Sequence, residues 1–445
     1  MAFIVKVTIF INLFIGSGYF ISLSGEDILY SEFSIVILCI FGFFYISNND
    51  VNKNISRQSL FLITMLGIFI GVGFLNLINL SNNVYILPVG GSWDRIFFGT
   101  ESLKIAFFGQ SNILRLIRLI LFLLCYYILE KFLKGNIGNM QNIKYFIVKS
   151  SVFMAFIGLI EQVTLKITSS NVVMEISKSI LGIADSQLTW NVERAGMPVL
   201  QAFSLEPGHY AQSFLPGILI LFTSNLFSEK YKIWCYMLFA YIIFSTGSFA
   251  GIAIIVLMSI IYIFNSKEMV LRKILSFSLF FVLISIFISI KKPILLEYFS
   301  MRIGAILFGT ESIGTSDGVR VLSINTAKNL IKDNPILGLG LGTTDILGFL
   351  PSILINLGFL GAIIWFIFCL KGFENNKSKN IYILFMLLPI YYYVGGIRNL
   401  YALDTILIFL LVFQKNIPSL SEVKIDKVKK YNYKKTLVLL KSRLS

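Results

Sequence analysis

Charge is scarce in this chain. Only 14% of its 445 residues are Asp, Glu, Lys or Arg, while 56% are apolar; ordinary globular proteins carry roughly a quarter charged residues. That shortage excludes a water-soluble fold, which has no surface on which to place so much Phe, Ile and Leu. A lipid bilayer is the solvent that accepts it. Histidine is almost missing, with His209 the single example. Cysteine is limited to Cys39, Cys125, Cys235 and Cys369, each in a different apolar run and none in a CxxC pair. This spacing suggests neither a zinc site nor a disulfide framework and leaves four small buried apolar side chains. External loops hold no cluster of Asp and Glu, so no metal and no cofactor is expected. Nor is there a basic patch interleaved with stacking aromatics, so the formal charge of +15 does not imply nucleic acid.

What is present is a succession of apolar runs, most of the length that crosses a bilayer as helix. They lie at about 3–23, 28–46, 59–80, 113–133, 143–165, 208–227, 231–246, 248–265, 270–290, 350–370, 380–396 and 399–414. The first has a Lys6 flank like a signal peptide but is long enough to span, and reads as an uncleaved helix. The expected fold is an all-α polytopic membrane protein of about twelve transmembrane helices. Residues 1–414 form one transmembrane domain, and residues 415–445 a basic cytoplasmic tail whose lysines would be drawn to anionic lipid. Placing the N terminus in the cytoplasm makes every even-numbered connection cytoplasmic, and each of these carries lysine, from Lys53 through Lys131, Lys230 and Lys267 to Lys371. The first external connection reads Ser24-Gly25-Glu26-Asp27. This obeys the positive-inside rule throughout, with both termini inside. Three external connections are long, at about 81–112, 166–207 and 291–349. Loops of that length carry function or helices of their own, so the working face is expected outside. The string Phe-Gly-Thr-Glu-Ser occurs at 98–102 and again at 308–312, with no wider repeat around it, and is read as chance in a biased composition.

Arginine runs against this topology. Arg95, Arg115, Arg118, Arg194, Arg302, Arg320 and Arg398 fall on external loops or outer span ends, and only Arg57, Arg272 and Arg443 lie inside. Arginine grips phosphate and carboxylate through a planar, two-pronged donor array. Arg115 and Arg118 share one face of the fourth span, the second about one turn into the membrane, where an ionisable group faces a cavity or a partner. Snorkelling, or pairing with Glu161 or Asp404, is the bland alternative. Together the seven suggest an outward-facing site for an anionic headgroup.

Two loops hold the remaining chemistry. The second ends Val192-Glu193-Arg194-Ala195-Gly196 and then Ser204-Leu205-Glu206-Pro207-Gly208-His209-Tyr210-Ala211. Proline suits the first helical position, which puts Glu206 at the mouth of the sixth span near the positive end of its dipole. Glu206 either stabilises that helix end or accepts a proton; His209, one turn in, is a candidate for substrate contact. The third loop holds Ser316-Asp317-Gly318-Val319-Arg320 and then an amphipathic stretch to Lys332, with Val319, Leu322, Ala327, Leu330 and Ile331 at helical spacing. Ser316 or Asp317 would cap it and Asn334-Pro335 stop it, giving a helix along the outer interface. Gly338-Leu339-Gly340-Leu341-Gly342 has no strand or βαβ unit around it, so it is not a dinucleotide fingerprint; it reads as a flexible turn into the tenth span.

These segments, over about residues 190–370, resemble the Wzy-type O-antigen polymerase and ligase superfamily of membrane glycosyltransferases. Arg194-Ala195-Gly196 with Glu206-Pro207 and Ala211, the Ser245-Thr246-Gly247-Ser248 junction, Gly318-Val319-Arg320 with Asn334-Pro335, and Gly358-Phe359-Leu360-Gly361 carry the resemblance. It implies a GT-C-like fold in the bacterial inner (plasma) membrane and an undecaprenyl-diphosphate-linked oligosaccharide as substrate on the outer face. It also implies inverting, metal-independent polymerisation of lipopolysaccharide or capsule repeat units, with a chain-length regulator as a partner. Carried over, Arg194 and Arg320 would hold the leaving diphosphate and Glu206 the acceptor hydroxyl; Arg115, Arg118, His209, Arg302 and Arg398 would contact substrate. Leu347 stands where ligases of the group have histidine, which favours polymerase over ligase. A lipid-linked oligosaccharide flippase is the reading from another class. Against it stand the long arginine-bearing loops and the connection Asn48-Asn49-Asp50-Val51-Asn52-Lys53, which lacks the basic signature of major-facilitator carriers.

Overall fold

The computed structural model describes residues 1–15, 19–23, 26–48, 102–105, 110–135, 137–168, 171–181, 202–204, 207–224, 226–248, 315–340 and 349–371, with isolated shorter pieces between them. Helix dominates. α1 is Ala2–Ile15, α2 Tyr30–Asn48, α3 Gln110–Gly135, α4 Ile137–Thr168 and α5 Val172–Leu181. α6 is Pro207–Ser213, α7 Leu215–Thr223, α8 Glu229–Ser245, α9 Thr315–Asp333 and α10 Phe349–Lys371. Contrary to the all-α expectation, there are also short antiparallel pairs: β1 (Tyr19–Leu23) with β2 (Glu26–Leu29), β3 (Tyr85–Ile86) with β4 (Lys104–Ile105), and β5 (Glu193–Arg194) with β6 (Met197–Pro198).

Among the described residues, three helices are long and apolar enough to cross a membrane: Tyr30–Asn48, Asn112–Leu133 and Gly138–Thr168. Their side-chain distribution supports that environment. On α3 the exposed face is Ile113, Ile117, Ile120 and Leu124, while Asn112, Arg115 and Arg118 are buried. A surface helix of a soluble protein has the opposite arrangement, with its polar face out. α4 turns Phe153, Phe156, Ile160, Val163 and Ile167 outward, and α2 does the same with Ile40, Phe41, Phe43 and Phe44. The chain is a membrane protein by this pattern; the full count of twelve spans extends beyond the described residues.

α4 is the axis of the bundle. It packs against α1, α3, α7 and α8, while α2 sits between α1 and α3. Small residues allow the close crossings: a Cβ on Gly42 would strike Ile128, and one on Gly217 would strike Ser151. Cys39, Cys125 and Cys235 are buried, as the sequence suggested. Two contacts fix which helix ends lie together. The Tyr145 hydroxyl donates to the Leu226 carbonyl at 3.0 Å, where α4 begins and α7 has ended. The Tyr241 hydroxyl donates to Gln162 Oε1 at 2.7 Å, near the opposite ends of α8 and α4. Lys6, Lys131, Lys144, Lys230 and Lys232 occupy the first end, and the β1–β2 hairpin the other.

The apolar run at 3–23 is not one helix. It is α1 to Ile15 and then strand β1, whose partner β2 leads directly into α2. Gly16-Ser17-Gly18 interrupts the run with poor helix formers, and Tyr19, Phe20 and Ile21 favour strand. The junction at Ser245-Thr246-Gly247-Ser248 is a true boundary: Gly247 has φ 58° and ends α8. Ser248 Oγ accepts the Gly251 N–H at 3.4 Å, the bond of a helix N-cap. The runs at 270–290, 380–396 and 399–414, and the basic tail, lie outside the described residues.

Candidate functional site

Asn112, Arg115, Arg118 and Glu161 are buried toward the hairpin end of the bundle, while Glu130, Ser224 and Lys232 are buried toward the other. Asn112, Arg115 and Arg118 recur every third residue at the start of α3, so they stack on its inner face. Arg118 pairs with Glu32, in the first turn of α2, a partner that the sequence did not single out. Nε lies 2.9 Å from Oε1 and Nη2 3.2 Å from Oε2, a two-pronged pair with the arginine 8% exposed. Glu32 also accepts the Leu29 N–H at 3.1 Å, which ties the pair to the end of the hairpin. Arg115, one turn earlier on the same face, is buried.

Glu161 is buried on α4, with other work to do. Asn171 Nδ2 donates to its Oε1 at 2.6 Å and the Ala202 N–H to its Oε2 at 2.8 Å. Asn171 caps α5, its Oδ1 accepting the Met174 N–H at 3.0 Å. Ala202 adopts φ 47°, a left-handed conformation that costs an alanine roughly 1–2 kcal/mol. One carboxyl group thus fixes both α5 and the turn that enters the bundle. There Ala202 and Phe203 meet Phe14, Met154, Ile157 and Tyr210 around a small apolar gap. The Leu200 N–H donates to the Ser245 carbonyl at 3.4 Å, anchoring the turn to the end of α8. Two residues beyond Ser204 comes Glu206, and α6 starts at Pro207 as the proline rule requires. His209 is exposed in the first turn of α6. Tyr210 is buried and donates to the Met154 carbonyl at 2.7 Å.

Arg194 stands in β5, paired with Met197 of β6. Arg320 stands in the second turn of α9, a helix that stops at Asp333 just before Asn334-Pro335. Ala327 and Leu330 are its buried face and Lys328 and Lys332 are exposed, the division that the spacing predicts. The side chains of Arg194 and Arg320, and the residues Glu206, Arg302, Arg398 and Asp404, lie outside the described residues. The described site therefore brings together Asn112, Arg115, Arg118 and Glu32 on one side of the hairpin end, and Glu161, Asn171 and Ala202 on another.

Gly338-Leu339-Gly340 is no flexible turn. All three residues are buried, with φ 69° at Gly338 and 107° at Gly340. They form part of a strap over a break in α10, where Gly358 adopts φ 64°. The Leu339 N–H donates to the Ile355 carbonyl at 2.6 Å and the Gly340 N–H to that of Asn356 at 2.9 Å. In return the Phe359 N–H donates to the Pro335 carbonyl at 2.9 Å and the Leu360 N–H to that of Ile336 at 3.1 Å. The strap satisfies the backbone groups that the break frees. Asn356, buried, completes the clamp: its Nδ2 donates to the carbonyls of Thr344 and Ser352, and its Oδ1 accepts the N–H groups of Thr343 and Thr344.

Sequence reasoning missed Asn356 and Asn171 and did not foresee the bonds of Glu161 to Asn171 and Ala202. The available signal was a polar side chain inside or beside an apolar run, which demands hydrogen-bond partners. Among the described residues no group of His, Cys, Asp or Glu could hold a metal ion. Comparison with protein-family models, with curated proteins and with solved structures found no match to this chain.

Proposed function

We propose that this chain is a polymerase of the Wzy type, with about twelve spans, a GT-C-like fold and cytoplasmic termini. It joins undecaprenyl-diphosphate-linked repeat units on the outer face of the bacterial plasma membrane. The observation that carries the reading is the buried Asn112–Arg115–Arg118 face of α3, at the bundle end where α6 also begins. Guanidinium groups held inside apolar helices suit a ligand with a phosphate headgroup and a lipid tail.

In the reaction, an acceptor hydroxyl attacks the anomeric carbon of the donor glycan. A new glycosidic C–O bond forms, and the bond to the diphosphate breaks with its electron pair leaving on the diphosphate. Glu206 takes the hydroxyl proton, while Arg194 and Arg320 stabilise the departing charge. The turn at Ala202 positions the segment leading to Glu206, and Glu161 holds that turn.

Complementation of a strain lacking the gene tests this. Wild type restores a ladder of long surface glycans, while Arg320→Ala and Glu206→Ala leave single repeat units on the surface lipid. Lipid-linked units retained on the cytoplasmic side of the deletion strain would instead identify a flippase.

A further inference from the structure

We infer that the strap at residues 335–340 is a re-entrant segment buried in the outer half of the bilayer, its apolar side chains against lipid acyl chains. The inference rests on α10 spanning the membrane with Lys371 at its cytoplasmic end, the topology proposed above. Lys371 ends α10 thirteen residues beyond Gly358, about 20 Å at 1.5 Å per residue. With a hydrocarbon core about 30 Å thick, a Lys371 at one surface places Gly358 about 10 Å below the other. Pro335 and Ile336 bond the backbone of Phe359 and Leu360, one and two residues deeper, so the strap reaches that level too.

Irregular backbone is tolerated at such a depth only where its polar groups are satisfied. The clamp on α10 meets that demand for the buried residues of the strap. The N–H groups of Gly338, Leu339 and Gly340 are all engaged, as are the carbonyls of Pro335 and Ile336. The side chains point to lipid rather than to a water-filled cavity. Ile336, Leu337, Phe359, Leu360 and Ile363 are exposed around the clamp, whereas Ile353, Leu357 and Ile364 on the same helix pack into the bundle core. An outward patch of five large apolar residues beside a span matches acyl chains and would be costly in water. Gly338 is required for the close approach, since a Cβ there would lie 2.6 Å from the amide nitrogens of Leu357 and Gly358.

The test is thiol labelling of single-cysteine substitutions with a membrane-impermeant maleimide, on membranes opened so that both faces are reachable. Ile336→Cys and Leu337→Cys probe the strap, Ile363→Cys probes the span, and Lys328→Cys reports the exposed face of α9. The unsubstituted protein supplies the background, and detergent is added in a second arm. Expected is labelling of Lys328→Cys, with the other three reacting at least about tenfold more slowly until detergent removes the lipid. Strap cysteines that react as fast as Lys328→Cys while Ile363→Cys stays protected would overturn the re-entrant placement and leave α10 as a span. A reactive Ile363→Cys would instead remove the span on which the inference rests. Strap cysteines that stay protected in detergent are covered by protein, which also overturns it.

Discussion

Glu161→Ala removes the acceptor that joins α5 to the turn at Ala202. The Ala202 N–H is buried and would be left without a partner, at a cost of about 1–3 kcal/mol. The Asn171 amide loses a bond worth roughly 1 kcal/mol. Ala202 also loses the hydrogen bond that favours its left-handed conformation, which itself carries roughly 1–2 kcal/mol of strain. Part of this is recovered when the turn relaxes, so the net destabilisation should be about 3 kcal/mol. Thermal unfolding in detergent, followed with a dye that fluoresces on reaction with thiols, reads it directly, because Cys39, Cys125 and Cys235 are buried until the bundle opens. The midpoint should fall by roughly 3 °C. Glu161→Gln keeps one acceptor but turns an NH2 toward the other donor, so about half that fall is expected. Midpoints of both variants within about 1 °C of the parent would refute the role of Glu161 as the anchor of this turn.

Other perturbations follow from the same packing. Glu32→Ala removes the two-pronged carboxylate partner of the buried Arg118 guanidinium, and should cost about 3–5 kcal/mol, seen in the same melt. Adding Arg118→Met to Glu32→Ala should recover much of that loss; a double variant no more stable than the single one would contradict the pairing. Asn356→Leu is nearly volume-conserving but removes the bonds that Asn356 makes to the N–H groups of Thr343 and Thr344 and to the carbonyls of Thr344 and Ser352. It should destabilise by about 2–5 kcal/mol and make the 335–346 segment cleavable by protease in detergent.

The helices were legible where hydropathy alone decides them. The runs at 28–46, 113–133, 143–165, 231–246 and 350–370 all coincide with observed helices to within a few residues. The run at 3–23 was not, because a hydropathy sum does not see that Gly16-Ser17-Gly18 can end a helix inside an apolar stretch. The site was legible in kind but not in pairing. Arg115 and Arg118 stand out as charges in a span, yet nothing local selects Glu32, 86 residues away, over Glu161. Gly338 and Gly358 could not be linked from sequence, since their need for glycine arises only where two distant backbones meet.

Reconstitution of the purified protein with a lipid-linked repeat unit, in a chelator and with no other protein, tests the central proposal most directly. The account predicts lipid-linked products that grow by whole repeat units, with one free undecaprenyl diphosphate released for each bond formed and none when Arg320 is Ala. Repeat units that cross the vesicle bilayer unchanged in mass would contradict it.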